Sequence, residues 1–215
     1  MYTKPVSPSG LKLWKECPLK WADRYIYGNK QEPGPAAQRG TDLHNALEDF
    51  FNGAPYPSGN KVLRPWQPLM EALASTDPVA EGEIAVDFGW KSCDYNSPLA
   101  YYRGKKDLHY EHDDTLNLFD WKSGKVYPEH EFQGASYAAM SPGYKHYKVT
   151  FVYLDQPLHT QRWEYTAQQV ATRRIEFTNI IQELRTAEEY PAKPGPGCNW
   201  CHLSWRRGGT CKRAR

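Results

Sequence analysis

Asp120 and Lys122 are the residues of this 215-residue chain whose types and spacing could most readily do chemistry. They finish the run Leu116-Asn117-Leu118-Phe119-Asp120-Trp121-Lys122, which reads as a strand and is followed by a Ser123-Gly124 turn. Side chains two apart on a strand share a face, so a carboxylate and an ammonium continue the row of Leu116 and Leu118. Such an ending suits a core poorly. It suits holding a cation and activating a water beside it. Asp107 lies in a second strand-like run, residues 101–110, which can pair with the first as a hairpin across the acidic turn Glu111-His112-Asp113-Asp114. The hairpin would bring two acids and one lysine to one sheet end. Two carboxylates suit Mg²⁺ or Mn²⁺, which favour oxygen ligands. A lysine beside them can orient a water, deprotonate it, or stabilise charge on a phosphate. By itself Asp-x-Lys is a common pattern, more often a solvated strand end than a site.

Three further groups of residues matter. His44 sits at the edge of an apolar helical stripe formed by Leu43, Ala46, Leu47 and Phe50. Gln133 and Tyr137, four apart, share one helix face and can both hydrogen-bond a phosphate or a base. Cys198 and Cys201 form a C-x-x-C pair after a Pro/Gly loop, Cys211 follows in a Gly-rich stretch, and Cys17 lies near the other terminus. A C-x-x-C pair is compatible with redox chemistry or with half a zinc site. Three cysteines in a tail with no core of its own suggest a metal staple, with Cys17 as fourth ligand tying the two termini together. Cys93 is then a lone thiol.

The elements that must position these groups can be read coarsely. Ser7 or Ser9 can cap a first short helix, and Pro18 suits the first turn of a second. Residues 28–38 and 52–68 read as loops, separated by a helix over 41–51. A strand over 83–88 precedes the hairpin. A helix over 129–140, a strand over 147–154 and a long helix from a Thr166 cap through Leu184 follow. This order implies an α/β or α+β domain with a mixed central sheet. The net charge of +2 gives no overall polycation signal, and the basic residues Arg206, Arg207, Lys212, Arg213 and Arg215 read as a solvated end. No stretch has the length of a membrane span, the N-terminus lacks an apolar signal core, and the five cysteines do not form an even disulfide set. An intracellular, cytoplasmic location is expected.

Taken in order, these residues resemble the RecB-like branch of the PD-(D/E)xK nuclease superfamily. That branch includes nuclease domains of recombination complexes, CRISPR-adaptation exonucleases and phage relatives. Arg39-Gly40-Thr41-Asp42-Leu43-His44 matches its R-G-x-x-x-H motif. Gly104-Lys105-Lys106-Asp107 matches G-x-x-D, and Asp120-Trp121-Lys122-Ser123-Gly124-Lys125 matches D-x-K-[ST]-G-K. Gln133-Gly134-Ala135-Ser136-Tyr137 matches Q-x-x-x-Y.

The resemblance implies a restriction-endonuclease-like α/β core, a mixed sheet flanked by helices, spanning 1–215 as one nuclease domain. Residues 1–38 and 190–215 would form a helical, Cys-rich extension. It implies an Mg²⁺- or Mn²⁺-dependent DNA exonuclease favouring single strands or free ends. His44, Asp107, Asp120 and the Trp121 carbonyl would be metal ligands, Lys122 the water-positioning group, and Gln133 and Tyr137 the strand contacts. Glu81 and Glu83 are equal candidates for a further acid. Cys17, Cys198, Cys201 and Cys211 fall where an iron–sulfur subgroup holds a [4Fe–4S] cluster, although the gap before Cys211 is longer here. Zinc, with His202 as another ligand, is the alternative. Recombination or CRISPR-adaptation proteins are the implied partners. Two other expectations stand beside this one: an endonuclease on the same fold, and a non-catalytic, metal-stapled nucleic-acid-binding module.

Overall fold

The computed structural model describes residues 2–127 and 130–212. In chain order the elements are α1 (Pro8–Glu16), α2 (Pro18–Tyr25), α3 (Pro35–Phe51), α4 (Gln67–Ala74), β1 (Val79–Val86), β2 (Tyr102–His112), β3 (Thr115–Lys122), α5 (His130–Met140), β4 (His146–Tyr153), β5 (Thr160–Thr166) and α6 (Ala167–Thr186). The chain divides into two compact units: Pro33–Glu176, and Met1–Glu32 together with Phe177–Arg215.

The first of these units is built on one five-stranded sheet in the order β1-β2-β3-β4-β5. Every neighbouring pair is antiparallel except β3 and β4, which are parallel. A parallel pair needs a crossover, and α5 supplies it. The mixed α/β sheet expected from the sequence is therefore present. Trp121 and Val152, opposite each other in the β3–β4 register, point into a core with Leu43 and Leu47 of α3, Met70 and Leu73 of α4, and Leu63, Trp66, Leu108 and Leu154. The alternate residues of β3, including Asp120, take the other face, where Gln133 of α5 reaches them.

Several elements depart from the sequence expectation. Helix α3 begins at Pro35 rather than Thr41, because Pro35 takes the first helical position, where no N–H is needed, after an extended Gly34. Arg39 and Gly40 are thereby helical. Helix α4 and the 3-10 turn Arg64–Trp66 occupy a stretch expected to be loop and its continuation; each carries a proline in its first turn, which starts a helix as readily as it breaks one. Strand β1 runs four residues earlier at its start than expected. Strand β5 was not anticipated: its Thr-Gln-Arg-Trp-Glu-Tyr-Thr sequence is that of a mostly exposed edge, with little apolar signal. Glu129, the expected first residue of the α5 helix, lies outside the described residues.

In the other unit, Ser7 caps α1 by accepting a hydrogen bond from the Gly10 amide at 3.1 Å. Trp14 and Trp21 pack edge to face at 5.4 Å, and Tyr190 lies within 6.3 Å of both rings. Phe177, Ile181 and Leu184 of α6 are fully buried. The cysteine-bearing segment has only the 3-10 turns Pro196–Trp200 and Trp205–Arg207, and neither buries a residue.

Candidate active site

The β2–β3 ladder ends at the Leu108–Phe119 pair. One step further, the strands part, and the Asp107 carboxylate accepts the Trp121 N–H at 2.7 Å in place of a backbone partner. An acid side chain is thus built into the opening between two strands. Within a strand, the N–H and C=O of one residue face the same neighbour, so the Trp121 carbonyl is also directed toward β2.

Around this opening His44 from α3 places Nδ1 3.4 Å from Asp107 Oδ2. Glu81 from β1 completes a trio: His44, Glu81 and Asp107 each offer a ligand atom within 4.8 Å of the other two. Glu81 has φ +48°, a left-handed conformation costly for a side-chain-bearing residue in a strand. The sequence left Glu81 and Glu83 equivalent. The structure separates them, since Glu83 is half-exposed and pairs with Lys105 at 3.8 Å.

Asp120 is 2% exposed. Its Oδ1 accepts from Gln133 Nε2 at 3.1 Å. Its Oδ2 forms an ion pair with the Lys122 ammonium. Gln133 ties the group together. Its Oε1 accepts from Lys122 Nζ at 3.0 Å, and its Nε2 also donates to the Tyr137 hydroxyl at 2.7 Å. Thus Asp107, Asp120, Lys122, His44, Gln133 and Tyr137 are brought together.

The electrostatics are those of a site short of positive charge. Burial pushes the Asp120 carboxyl above the ordinary aspartate range, Lys122 opposes this, and Asp107 adds to it. Burial, then Asp107 and Glu48, raise Glu81. Burial disfavours a charged His44, but its bond to Asp107 and the charges of Asp107 and Asp120 outweigh that and raise it. The carboxylates of Glu81 and Asp107 with the His44 imidazole form a set suited to Mg²⁺ or Mn²⁺; Asp120, engaged by Gln133 and Lys122, lies outside that trio.

A supporting layer fixes the turn after Lys122. Arg39 makes a bidentate pair with Asp155, just beyond β4. Asp155 Oδ2 also accepts the Gly124 N–H at 2.7 Å, and Gln156 Nε2 donates to the Gly124 carbonyl at 3.1 Å. Gly124 has φ +101°, open to glycine, and a Cβ on Gly40 would meet Ser123 Oγ at 2.8 Å. The Arg-Gly pair of α3 therefore has a physical role, holding and admitting the Ser-Gly turn. Asp155 escaped the sequence reading because its placement depends on the parallel β3–β4 register.

Cys17, Cys198, Cys201 and Cys211 line one small pocket of about 20 Å³ together with Leu19, Pro194 and Leu203. The Gly195 N–H donates to Cys198 Sγ at 3.4 Å. Among the described residues, no three cysteine sulfurs lie within 4.8 Å of one another, as a compact single-ion site would place them. His202, considered as a zinc ligand, instead bonds through Nε2 to buried Asp23 at 2.7 Å. Cys93 lies in the other unit, where burial and then Asp87 and Asp94 raise its thiol.

Residues 5–81 match the family model of the PD-(D/E)XK nuclease superfamily, a span that holds the Arg39–His44 motif and ends at Glu81. The fold resembles that of SSO0001, with TM-score 0.58 and 15% identity over 95% of this chain and 86% of the other. It also resembles a candidate exonuclease of Eubacterium rectale, with TM-score 0.56 and 11% identity over 95% and 88% of the two chains. No curated protein matches the sequence. Residues 5–81 are thus similar to the PD-(D/E)XK nuclease superfamily, and the chain as a whole shares its fold with these solved structures.

Proposed function

We propose that the protein is an Mg²⁺- or Mn²⁺-dependent deoxyribonuclease that works from DNA ends and favours single strands. The observation that carries the proposal is the trio His44, Glu81 and Asp107, with the buried Asp120 paired to a Lys122 that Gln133 also holds. His44, Glu81, Asp107, Asp120 and the Trp121 carbonyl are the candidate ligands. A divalent ion there would polarise the scissile phosphate and acidify the attacking water. Lys122, held between Asp120 and Gln133, orients that water and stabilises charge on the phosphate. A water oxygen–phosphorus bond forms as the bond to the leaving sugar oxygen breaks, and the water's proton passes to solvent. Tyr137, locked to Gln133, positions the strand.

The [4Fe–4S] proposal belongs to the same reading. It is supported by four cysteines from both ends of the chain around one pocket, by an N–H directed at one sulfur, and by a tail that buries nothing in its 3-10 turns. A cubane spreads its thiolates more widely than a single ion does, which favours the cluster over zinc. Anaerobically purified protein is then brown with broad absorbance in the blue; colourless protein carrying stoichiometric zinc would reject the cluster. We also propose a cytoplasmic setting with recombination or CRISPR-adaptation partners; no described helix is long and apolar enough to cross a membrane.

The activity is tested by digesting end-labelled linear DNA and a closed circle with Mg²⁺ and with Mn²⁺. Loss of label from linear DNA with the circle intact supports an exonuclease. Cleavage of the circle redirects the reading to an endonuclease, and binding without cleavage to a non-catalytic module.

A further inference from the structure

The two units carry opposite charge. Met1–Glu32 with Phe177–Arg215 holds thirteen basic and six acidic residues, whereas Pro33–Glu176 holds fourteen basic and nineteen acidic ones. The near-neutral total hides a division of net +7 against −5. A polyanion gains little from the acidic unit, because phosphate affinity comes from lysine and arginine that displace counterions. The basic unit must then supply most of the electrostatic affinity.

Within that unit, Trp200 is 74% exposed and Trp205 55% exposed. Both lie on the 3-10 turns flanking Cys201. The segment is held by backbone bonds, Trp205 N–H to Cys211 O at 3.1 Å and Cys211 N–H to Leu203 O at 2.7 Å. The indoles are therefore presented from an ordered knot rather than a loose end. Arg206, 5.9 Å from the Trp205 ring centre, and Arg207 follow directly, and Lys212 lies beyond Cys211. Aromatic faces with interleaved basic side chains are the ingredients of sequence-tolerant single-strand binding, where any base can stack and the phosphates are neutralised alongside.

We infer that the cysteine-rich end is a single-strand capture surface, on which Trp200 and Trp205 stack against bases while Arg206, Arg207 and Lys212 hold phosphates. The inference deepens the nuclease reading and rests on it for the identity of the polymer. It revises the expectation that the basic tail is merely solvated. Two exposed tryptophans alone would fit a protein partner as well; the net charge of the unit and the adjoining arginines favour a polyanion.

The test uses the full-length chain carrying Lys122→Ala, so that binding is read without cleavage. Fluorescence anisotropy of a labelled oligothymidylate is followed across a salt series. Trp200→Ala and Trp205→Ala are each expected to weaken binding roughly 5- to 150-fold, the range for loss of one base–aromatic stack. Arg206→Gln with Arg207→Gln is expected to reduce the slope of log affinity against log salt by about 1.4, at about 0.7 per phosphate contact on a single strand. Trp200→Phe and Trp205→Phe retain a ring and should keep most of the affinity. Unchanged binding in the alanine double variant overturns the inference, as does absence of binding by the parent. So does equal loss in the Phe and Ala variants, which would mean structural damage rather than lost stacking. Digestion of end-labelled DNA by the wild-type chain tests the nuclease reading separately: tryptophan-dependent binding without any cleavage would retain the capture surface and remove the activity.

Discussion

The unit with the acids and the unit with the cysteines solve opposite problems. Pro33–Glu176 has a five-stranded sheet and a large apolar core, and it can hold Asp120 buried against its own desolvation cost. The Cys198–Cys211 segment buries nothing in its 3-10 turns and relies on backbone bonds and its cysteines for shape. The first carries the net negative charge and the second the net positive charge, as the proposed cation and polyanion sites require. The comparison teaches that overall net charge is a poor guide to nucleic-acid binding when one chain must hold both metal ligands and phosphate contacts.

The largest effect expected is on chemistry in the acidic unit. Lys122→Ala should lower the turnover of DNA hydrolysis by roughly 10²- to 10⁴-fold, the scale for loss of a general-base or charge-stabilising group, with circular dichroism unchanged. Asp120→Asn should also abolish turnover but leave the melting temperature equal or higher, because it removes a buried charge. A marked fall in melting temperature would mean that Asp120 is structural.

Asp155→Ala, which frees Arg39 and the Gly124 turn, should cost up to about 10²-fold in kcat with little change in KM, the penalty for slight misplacement of a catalytic group. Asp155→Asn, able to accept only part of that network, should fall between. A loss confined to KM would place Asp155 in binding instead.

Glu81→Gln should raise the metal concentration needed for half-maximal activity by roughly 10- to 100-fold, as loss of a ligand-shell group does. Glu83→Gln should leave it unchanged, since its half-exposed pair with Lys105 contributes at most about 1 kcal/mol. Equal effects would return the two glutamates to the equivalence they have in the sequence.

The smallest effect is on stability alone. Burial pushes the Lys106 ammonium down to about 8, so the unfolded chain binds that proton more tightly than the folded one. The folded state is therefore penalised at neutral pH, and the penalty fades as pH rises from about 8 through the lysine's unfolded value. Lys106→Met should stabilise the protein at pH 7 by on the order of 3 kcal/mol, the fall from 10.5 to about 8 taken at about 1.36 kcal/mol per unit. Melts of both proteins should converge as the pH approaches 10.

Much of the site was legible because its parts are local. Asp120 and Lys122 share a face by strand parity, Gln133 and Tyr137 by helix spacing, and His44 stands at the edge of an apolar stripe. The rest depends on geometry that spacing does not encode. Glu81 and Glu83 have the same parity; the positive φ at Glu81, its nearness to His44 and Asp107, and Glu83's pair with Lys105 part them. Asp155 reaches Gly124 only through a parallel register. His202 finds its partner, Asp23, near the opposite terminus. The fold was readable where apolar periodicity was strong, and missed at α4, whose prolines suggested a loop, and at β5, whose edge position leaves it polar.

The central claim, that the acids hold a divalent ion while Lys122 drives hydrolysis, is tested most directly by pairing two measurements on wild type and Lys122→Ala. Mn²⁺ binding is followed by electron paramagnetic resonance, and hydrolysis of end-labelled DNA is followed in the same samples. The account predicts that the variant binds Mn²⁺ at least as well as wild type but does not cleave. Cleavage at the wild-type rate by the variant, or no Mn²⁺ binding by wild type, would contradict it.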